Sequence, residues 1–599
     1  MAGERCAFAN DACQVLVAAR WIRPEESQTM DYPQLDKVRG STTPLQLDTV
    51  EAFVRGKLSR REFIGRGLVV GLSMASISAV IAACGGGTSS TAPSTGGGGS
   101  TAPTSGASTP PASATAGGTI RIALQRPVKV DPIAMQDLGG YGITAQSFEF
   151  LCTLDKNGSD IAPGLALKWT PNADGSVWVF DLRQGVMWQD GTPFSSADVV
   201  ATMERLVAAG NSGLKGVIDK GSAVATDANT VTFNLVSANG NFPYLVSVFT
   251  AQALITPANY AAGTTFDAKP NGTGAWKLTS YDVTQGAKFA RNDAWWGGKT
   301  PLDTTEFIFF DQTSDMVTAY QGGQVDAIVQ FDVLSGKSLL DDANTTVIAT
   351  KAALHRQIWM RCDKGQFAKK EVRQALAYTF DRPALIQQLF QGRADLGNDH
   401  VIAPIYPYFD SSIPQRVQDI EKAKSLLSTA GVTNLSATLH AGQLLEIPDL
   451  AVLLQSNAAK AGITLTPAVE SLTTFYGAQW CPDKPADPPC SGSAELGIVD
   501  YGHRATPDVY LNAAIKTKGV WNASQYSSPE FDAAFTEFQK AVGVDAQKAA
   551  CTKIETIMNE DVPIGLPYFY NYLAGSAKAY TGIYSSALGQ MFFSAASKA

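Results

Sequence analysis

From Gly85 to Gly118 the chain is almost wholly glycine, serine, threonine, proline and alanine. A stretch of that composition has too little apolar surface to bury and behaves as a flexible, partly extended linker. The feature divides the 599 residues into a short leading part and a long body starting at Gly118. At about 150 residues per domain, a chain of this length has room for three or four folding units.

The residues ahead of the linker explain its position. Residues 59–65 read Ser-Arg-Arg-Glu-Phe-Ile-Gly, and the run from Gly67 to Ala83 is GLVVGLSMASISAVIAA. A charged start, a moderately apolar run and a small-residue exit are the parts of an export signal, and the paired arginines resemble the signal of the twin-arginine (Tat) route. The run is slightly short for a spanning helix, and its glycines and serines weaken it further. It ends Ile81-Ala82-Ala83-Cys84, which resembles a bacterial lipobox. That resemblance implies diacylation of Cys84, which becomes the first mature residue and anchors the chain to the outer face of the membrane. The divisions expected are an N-terminal extension at 1–58, with Met30 an alternative start of translation, a lipoprotein signal at 59–84 and a tether at 85–117.

A formal net charge of −8 with pI near 5.2 excludes a nucleic-acid surface, which needs a basic stripe. The four histidines, His355, His400, His440 and His503, are too scattered for metal-ligand spacing, and neither metal nor cofactor is expected. Cys481 and Cys490 bracket the stretch CPDKPADPPC, which reads as a disulfide-closed surface loop in an oxidising compartment and as two free thiols otherwise. Cys152, Cys362 and Cys551 form an odd remainder, so at least one is a free thiol.

In the body, TIRIALQ, WVFDLRQGVMW and VTFNLV alternate as strands, whereas SADVVATMERLVAA and KKEVRQALAYTFDRPALIQQLFQ have helical spacing. Ser195 or Ser196 can cap the first helix, with Asp198 in its first turn. The irregular mixture predicts α/β lobes with mixed sheets rather than a bundle or a repeat array.

An ordered series of segments then resembles a known family. It begins with Asp155-Lys156-Asn157-Gly158, Ile161-Ala162-Pro163-Gly164-Leu165-Ala166 and Trp169. Its most specific part runs from Leu182-Arg183-Gln184-Gly185-Val186 through Trp188 and Asp190-Gly191-Thr192-Pro193-Phe194 to Asp198-Val199. Asn271-Gly272-Thr273-Gly274, Arg291-Asn292 with Trp295-Trp296-Gly297-Gly298, Gly323-Gln324-Val325-Asp326 and Val372-Arg373-Gln374-Ala375-Leu376 with Asp381-Arg382 follow in order. Glu421-Lys422-Ala423-Lys424, Pro529-Glu530-Phe531-Asp532 and Asp561-Val562-Pro563 complete the series. Together they resemble the family 5 extracellular solute-binding proteins, the peptide- and nickel-binding receptors of ABC importers, over essentially all of 118–599. Most of these residues read as scaffold, with DG, NG and GG pairs as tight turns and the tryptophans as core.

The resemblance implies a two-lobed, periplasmic-binding-protein-like (Venus-flytrap) α/β fold with an extra subdomain in the first lobe and a hinge of crossing strands. The expected lobes are 118–311 with the subdomain, 312–559, and a return to the first lobe at 560–599. The implied partners are a peptide or other small solute and the permease and ATPase subunits of an importer, with the chain acting as a non-enzymatic monomer.

In the family's peptide binders an aspartate in an "ADY" segment holds the ligand's α-ammonium. Val499-Asp500-Tyr501 stands there in this chain. A buried ammonium requires a paired anion, so Asp500 leads the candidates, with a surface carboxylate bonded to Arg504 as the plainer reading. The family's tryptophan ahead of this aspartate is absent, and Gly502-His503-Arg504-Ala505-Thr506-Pro507 replaces its acidic turn. His503 and Arg504 can meet a ligand carboxylate or phosphate, or Arg504 can lock the loop. Further candidates are Gly139, Gly140 and Tyr141, where glycines would let an extended peptide pair with the backbone. Trp359 and Arg361 on one face of a strand, and Tyr476 and Trp480 as an apolar pocket, complete the set. An oligosaccharide or a nickel chelate remains an alternative ligand. The chain contains no G-x-S-x-G or H-E-x-x-H signature of an exported hydrolase.

Overall fold

The computed structural model describes residues 117–599 apart from 136, 156, 157, 159, 212, 262–269 and 483–487. The extension, the export segment with Cys84 and all but the last residue of the tether lie outside these described residues. TIRIALQ forms β1 (Thr119–Gln125), with Ile120 and Ile122 turned inward. The strands that join it are β2 (Trp276–Asp282), β3 (Gly286–Arg291), β4 (Thr304–Phe310) and β5 (Ala327–Phe331). They are followed by β6 (Thr345–Met360), β7 (Ser436–Gly442), β8 (Thr464–Glu470), β9 (Leu496–Tyr501) and β10 (Tyr568–Ala577). Their order is β8-β7-β9-β6-β10-β5-β1-β4-β3-β2 within a 12-stranded sheet, completed by Ala394–Leu396 on β10 and Ile564–Gly565 on β6. The central β1 pairs in parallel with both β4 and β5.

A separate antiparallel sheet orders Ala166–Pro171, Val177–Leu182, Thr230–Asn234 and Ala223–Asp227, and forms the subdomain with α1 (Leu138–Ser147) and α2 (Ser196–Ala208) nearby in the same half. The Ser195 N–H donates to Asp198 Oδ2 at 2.9 Å, so Ser195 rather than Ser196 occupies the cap of α2. The stretch KKEVRQALAYTFDRPALIQQLFQ resolves into α3 (Lys370–Tyr378) and a second helix at Arg382–Phe390. Pro383 stands in the first turn of the second helix, where a missing N–H costs nothing, and Asp381 accepts from the Ala384 N–H at 3.2 Å. The paired tryptophans are scaffold: Trp295 and Trp296 donate their indole N–H groups to the two oxygens of Glu149, at 3.0 and 2.8 Å.

The long strands β6 and β10 tie the two halves together. They pair antiparallel from Thr345↔Ala577 to His355↔Phe569, with an irregularity between Thr350 and Leu354. Beyond it, β6 pairs with β9, from His355↔Tyr501 to Met360↔Leu496. Ala352 belongs to a core built around Ile120, Phe180 and Phe289, whereas Ala353 packs with Tyr501, Phe535 and Phe569, and Ile358 with Leu376 and Leu450. Leu354 still packs with the first core, so the change of core spans Ala352 to His355, with alternate side chains turned to different cores. On the return strand β10, Phe569 packs in the second half and Tyr572 in the first. The result is two halves joined through crossing strands.

In the second half, α4 (Pro529–Lys540) and α5 (Val544–Asp561) cover the aromatic core. Asp399 is fully buried there and accepts from Arg382 Nη2 at 2.6 Å and Arg416 Nε at 2.8 Å. Asp399→Ala would leave two buried guanidinium groups without their anion. Urea unfolding should show a loss of about 3–5 kcal/mol relative to the unaltered chain.

Candidate ligand-binding cleft

A cavity of about 520 Å³ opens between the halves. Its floor is the crossing pair, with Leu354 of β6 and Tyr570, Asn571 and Tyr572 of β10. Leu138 and Leu588 approach it from the first half, and Glu446, Asp500 and Arg504 from the second. Two halves with a lined cleft at the crossing strands give a two-lobed fold with room for a small ligand between its lobes.

The polar wall is built on β6 and β9. Arg356 and Asp500 stand opposite one another in the β6–β9 register. Arg356 is buried and committed elsewhere, its Nη2 donating to Glu446 Oε2 at 3.0 Å and its Nη1 to the Tyr570 hydroxyl at 2.8 Å. Tyr568 adds a donor to Glu446 Oε1 at 3.3 Å. Asp500 accepts from the Tyr476 hydroxyl at 2.6 Å, and no lysine or arginine among the described residues stands within ion-pair distance of it. The alternative in which Arg504 neutralises Asp500 does not occur. The Arg504 Nη1 donates to the His503 carbonyl at 2.9 Å instead.

His503 is buried at the edge of the cleft and its Nδ1 accepts from the Ala353 N–H at 3.0 Å. Burial pushes its pKa down to about 3. His355, buried beneath it, is lowered to about 4 by the same cause. Both imidazoles are neutral at physiological pH.

The other expected residues are not in the cavity lining, and each position has a packing reason. Gly139 and Gly140 form the first turn of α1, where the Gly140 N–H donates to Asp137 Oδ1 at 2.9 Å. A Cβ on Gly139 would sit 2.4 Å from the Gln125 carbonyl oxygen, and one on Gly140 2.5 Å from that of Lys129. These glycines permit close helix packing and offer no free edge to an extended peptide, which corrects the strand-addition expectation. Tyr141 is half-buried against the core of the first half.

Trp359 is buried, donates to the Ala494 carbonyl at 3.0 Å and lies over Gly497, where a Cβ would meet its ring at 2.1 Å. Arg361 is buried and spent on both oxygens of Asp363, at 2.8 and 2.7 Å, and on the Ser491 and Ser493 carbonyls. Tyr501 packs among His355, Tyr510 and Trp521, and Trp480 packs edge-on against Tyr476 and Tyr501. Trp359, Arg361, Tyr501 and Trp480 are structural here. Tyr476 reaches the site through Asp500, as a positioning group rather than as part of an apolar pocket. Cys481 and Cys490 are joined in a disulfide, and Cys152 and Cys551 are buried free thiols beside the half-buried Cys362.

Sequence reasoning missed Glu446, Tyr570 and Asn571. Alternation along β6 set Arg356 apart from Trp359 and Arg361, which was the available signal that Arg356 faces a different environment. Its partner Glu446 is distant in sequence, so no local pattern joins them. Among the described residues no group of three or more His, Cys, Asp or Glu is placed to hold a metal ion.

Residues 160–483 match the family model for bacterial extracellular solute-binding proteins, family 5 Middle. The chain belongs to this family, whose members bind peptides or other small solutes and work with ABC permeases. It is 23% identical to the heme-binding protein A of Haemophilus influenzae over 475 residues, covering 73% of this chain and 84% of that one. It is 27% identical to the dipeptide-binding protein of Escherichia coli over 302 residues, covering 46% of this chain and 56% of that one. Among solved structures, the unliganded open form of the murein tripeptide-binding protein MppA matches with a TM-score of 0.69 at 21% identity, over 81% of this chain and 99% of that one. These relatives are binding proteins by name, and none is named as an enzyme.

Because the two histidines nearest the cleft stay neutral down to about pH 3 and pH 4, neither contributes a proton change in the physiological range. Calorimetric affinity for a bound solute should stay flat between about pH 5 and 7, with no histidine-like inflection near the unperturbed value of about 6.5.

Proposed function

We propose that the chain is the lipid-anchored receptor of an ATP-driven importer, capturing a short peptide between its halves and presenting it to the membrane permease. The supporting observation is Asp500, a carboxylate in the cleft held at 2.6 Å by a single tyrosine hydroxyl and without a cation of its own. A ligand ammonium supplies the counter-charge, and a charge-assisted hydrogen bond of this kind is worth about 1.5–3 kcal/mol. The relatives named for dipeptides and murein peptides fit the same chemistry. The charged wall of Arg356, Glu446 and Asp500 suits a small zwitterion better than a large apolar ligand, which would leave those groups desolvated without compensation.

Closure follows from linkage. A peptide touching both walls binds the closed arrangement more tightly and shifts the population toward it by that difference, so the permease can distinguish loaded from empty receptor by shape. Both walls come from one chain, and a monomer is sufficient. Retention at the membrane rests on Cys84, with two acyl chains for stable anchoring and the Gly/Ser/Thr/Pro segment as the tether.

Asp500→Ala should weaken a peptide with a free amino terminus by more than about tenfold, in line with loss of one charge-assisted bond. Calorimetry with the free and N-acetylated forms checks it, and equal binding of the two by the unaltered chain refutes the ammonium anchor. Cys84→Ser should abolish metabolic labelling with a palmitate analogue and release the protein from the membrane fraction.

A further inference from the structure

The wall that holds Asp500 also holds an arginine without an ion-pair partner among the described residues. Arg504 is half-buried and lines the same cleft. A guanidinium has five N–H donors, and the one hydrogen bond this side chain donates is to the His503 carbonyl at 2.9 Å. No carboxylate among the described residues stands within ion-pair distance of it. Its neighbour in the wall, Arg356, is paired with Glu446 through Nε at 2.9 Å and Nη2 at 3.0 Å. The wall thus offers one arginine spent on the protein and one that is not.

The backbone beneath Arg504 is fixed. The Ala353 N–H donates to His503 Nδ1 at 3.0 Å, the Tyr510 hydroxyl to the Gly502 carbonyl at 2.5 Å and the Tyr406 hydroxyl to the Arg504 carbonyl at 2.8 Å. A tied base reduces the ordering cost when the guanidinium meets an anion, and its planar fork matches a carboxylate in two-point contact. None of these three bonds uses the Arg504 guanidinium, so they hold the loop without its charge.

We propose that Arg504 is a specificity-determining residue that reads a carboxylate on the same ligand whose ammonium meets Asp500. The proposal rests on the reading that Asp500 holds that ammonium. Both line the cavity of about 520 Å³, and Arg504 follows Asp500 by four positions just beyond the end of β9, so their Cα atoms are at most about 14 Å apart and one small ligand can reach both. The shared chemistry is a compact zwitterion. Its carboxylate is either the α-carboxylate of a dipeptide or the side chain of an acidic first residue.

The test uses the purified full chain and four equimolar pools: dipeptides without acidic side chains as free acids, the same dipeptides as C-terminal amides, amidated dipeptides beginning with Asp or Glu, and the free acids in N-acetylated form. Mass spectrometry identifies what is retained, and calorimetry follows on the retained species with the unaltered chain, Arg504→Gln, Arg504→Lys and Lys337→Gln. The expected result is retention of the free acids, the acidic-start amides or both, with at least about tenfold preference over neutral amides, as for one charge-assisted pair. The preference should collapse in Arg504→Gln, recover partly in Arg504→Lys and persist in Lys337→Gln, which removes an exposed lysine at the cleft. Equal affinity for the acids and neutral amides, together with weak binding of N-acetyl forms, overturns the role of Arg504 and leaves the Asp500 anchor standing. Retention of nothing from any pool overturns both readings. A thermal unfolding temperature of Arg504→Gln matching the unaltered chain shows that lost discrimination is not lost folding, and a fall matched by equal loss for every ligand marks Arg504 as a loop lock and overturns the proposal.

Discussion

Everything in the cleft depends on the pairing of β6 with β10. These two strands carry the chain from one core to the other, and their side chains change allegiance over Ala352 to His355 and again between Phe569 and Tyr572. A strand ladder is stiff along its length, yet the irregularity between Thr350 and Leu354 interrupts the pairing where the cores part. The cleft sits over this point, so any change in the angle between the halves changes the distance between its walls.

The second half buries several charges as ion pairs. Asp399 serves Arg382 and Arg416, Arg361 serves Asp363, and Arg356 serves Glu446. Such pairs recover in low dielectric what burial costs, and they hold loops and strands in register more than they add stability. In the cleft wall, Asp500 is held by a tyrosine hydroxyl and Arg504 by a carbonyl, each without an ionic partner among the described residues. An acidic and a basic group so placed in one cleft suit a guest that carries both charges.

Tyr476 illustrates how a site residue can act at one remove. Its hydroxyl orients Asp500, and its ring packs against Phe475 and Trp480 in the segment that leads to the Cys481–Cys490 disulfide. Arg361 ties the end of β6 to the same region through the Ser491 and Ser493 carbonyls. Residues that looked like ligand contacts in the linear sequence are the supports that keep β9, and Asp500 on it, in place.

The sequence by itself determined the strands and helices whose periodicity is local, a cap at Ser195 or Ser196, and the pairing of Cys481 with Cys490 as one of two readings, whereas Asp500 was singled out by the family resemblance. These were legible because turns, caps, alternation and short motifs depend on neighbours a few residues away. Tertiary structure alone decided which polar groups are spent. Trp359 and Arg361 share a strand face with the proper alternation for a site, yet that face meets Gly497, Asp363 and the disulfide loop. Gly139 and Gly140 are glycines because β1's exit passes within van der Waals distance of their helix, a contact that composition does not encode. Whether a charge is free for a ligand depends on partners far away in the chain, such as Glu446 for Arg356, and only the folded arrangement brings those partners together.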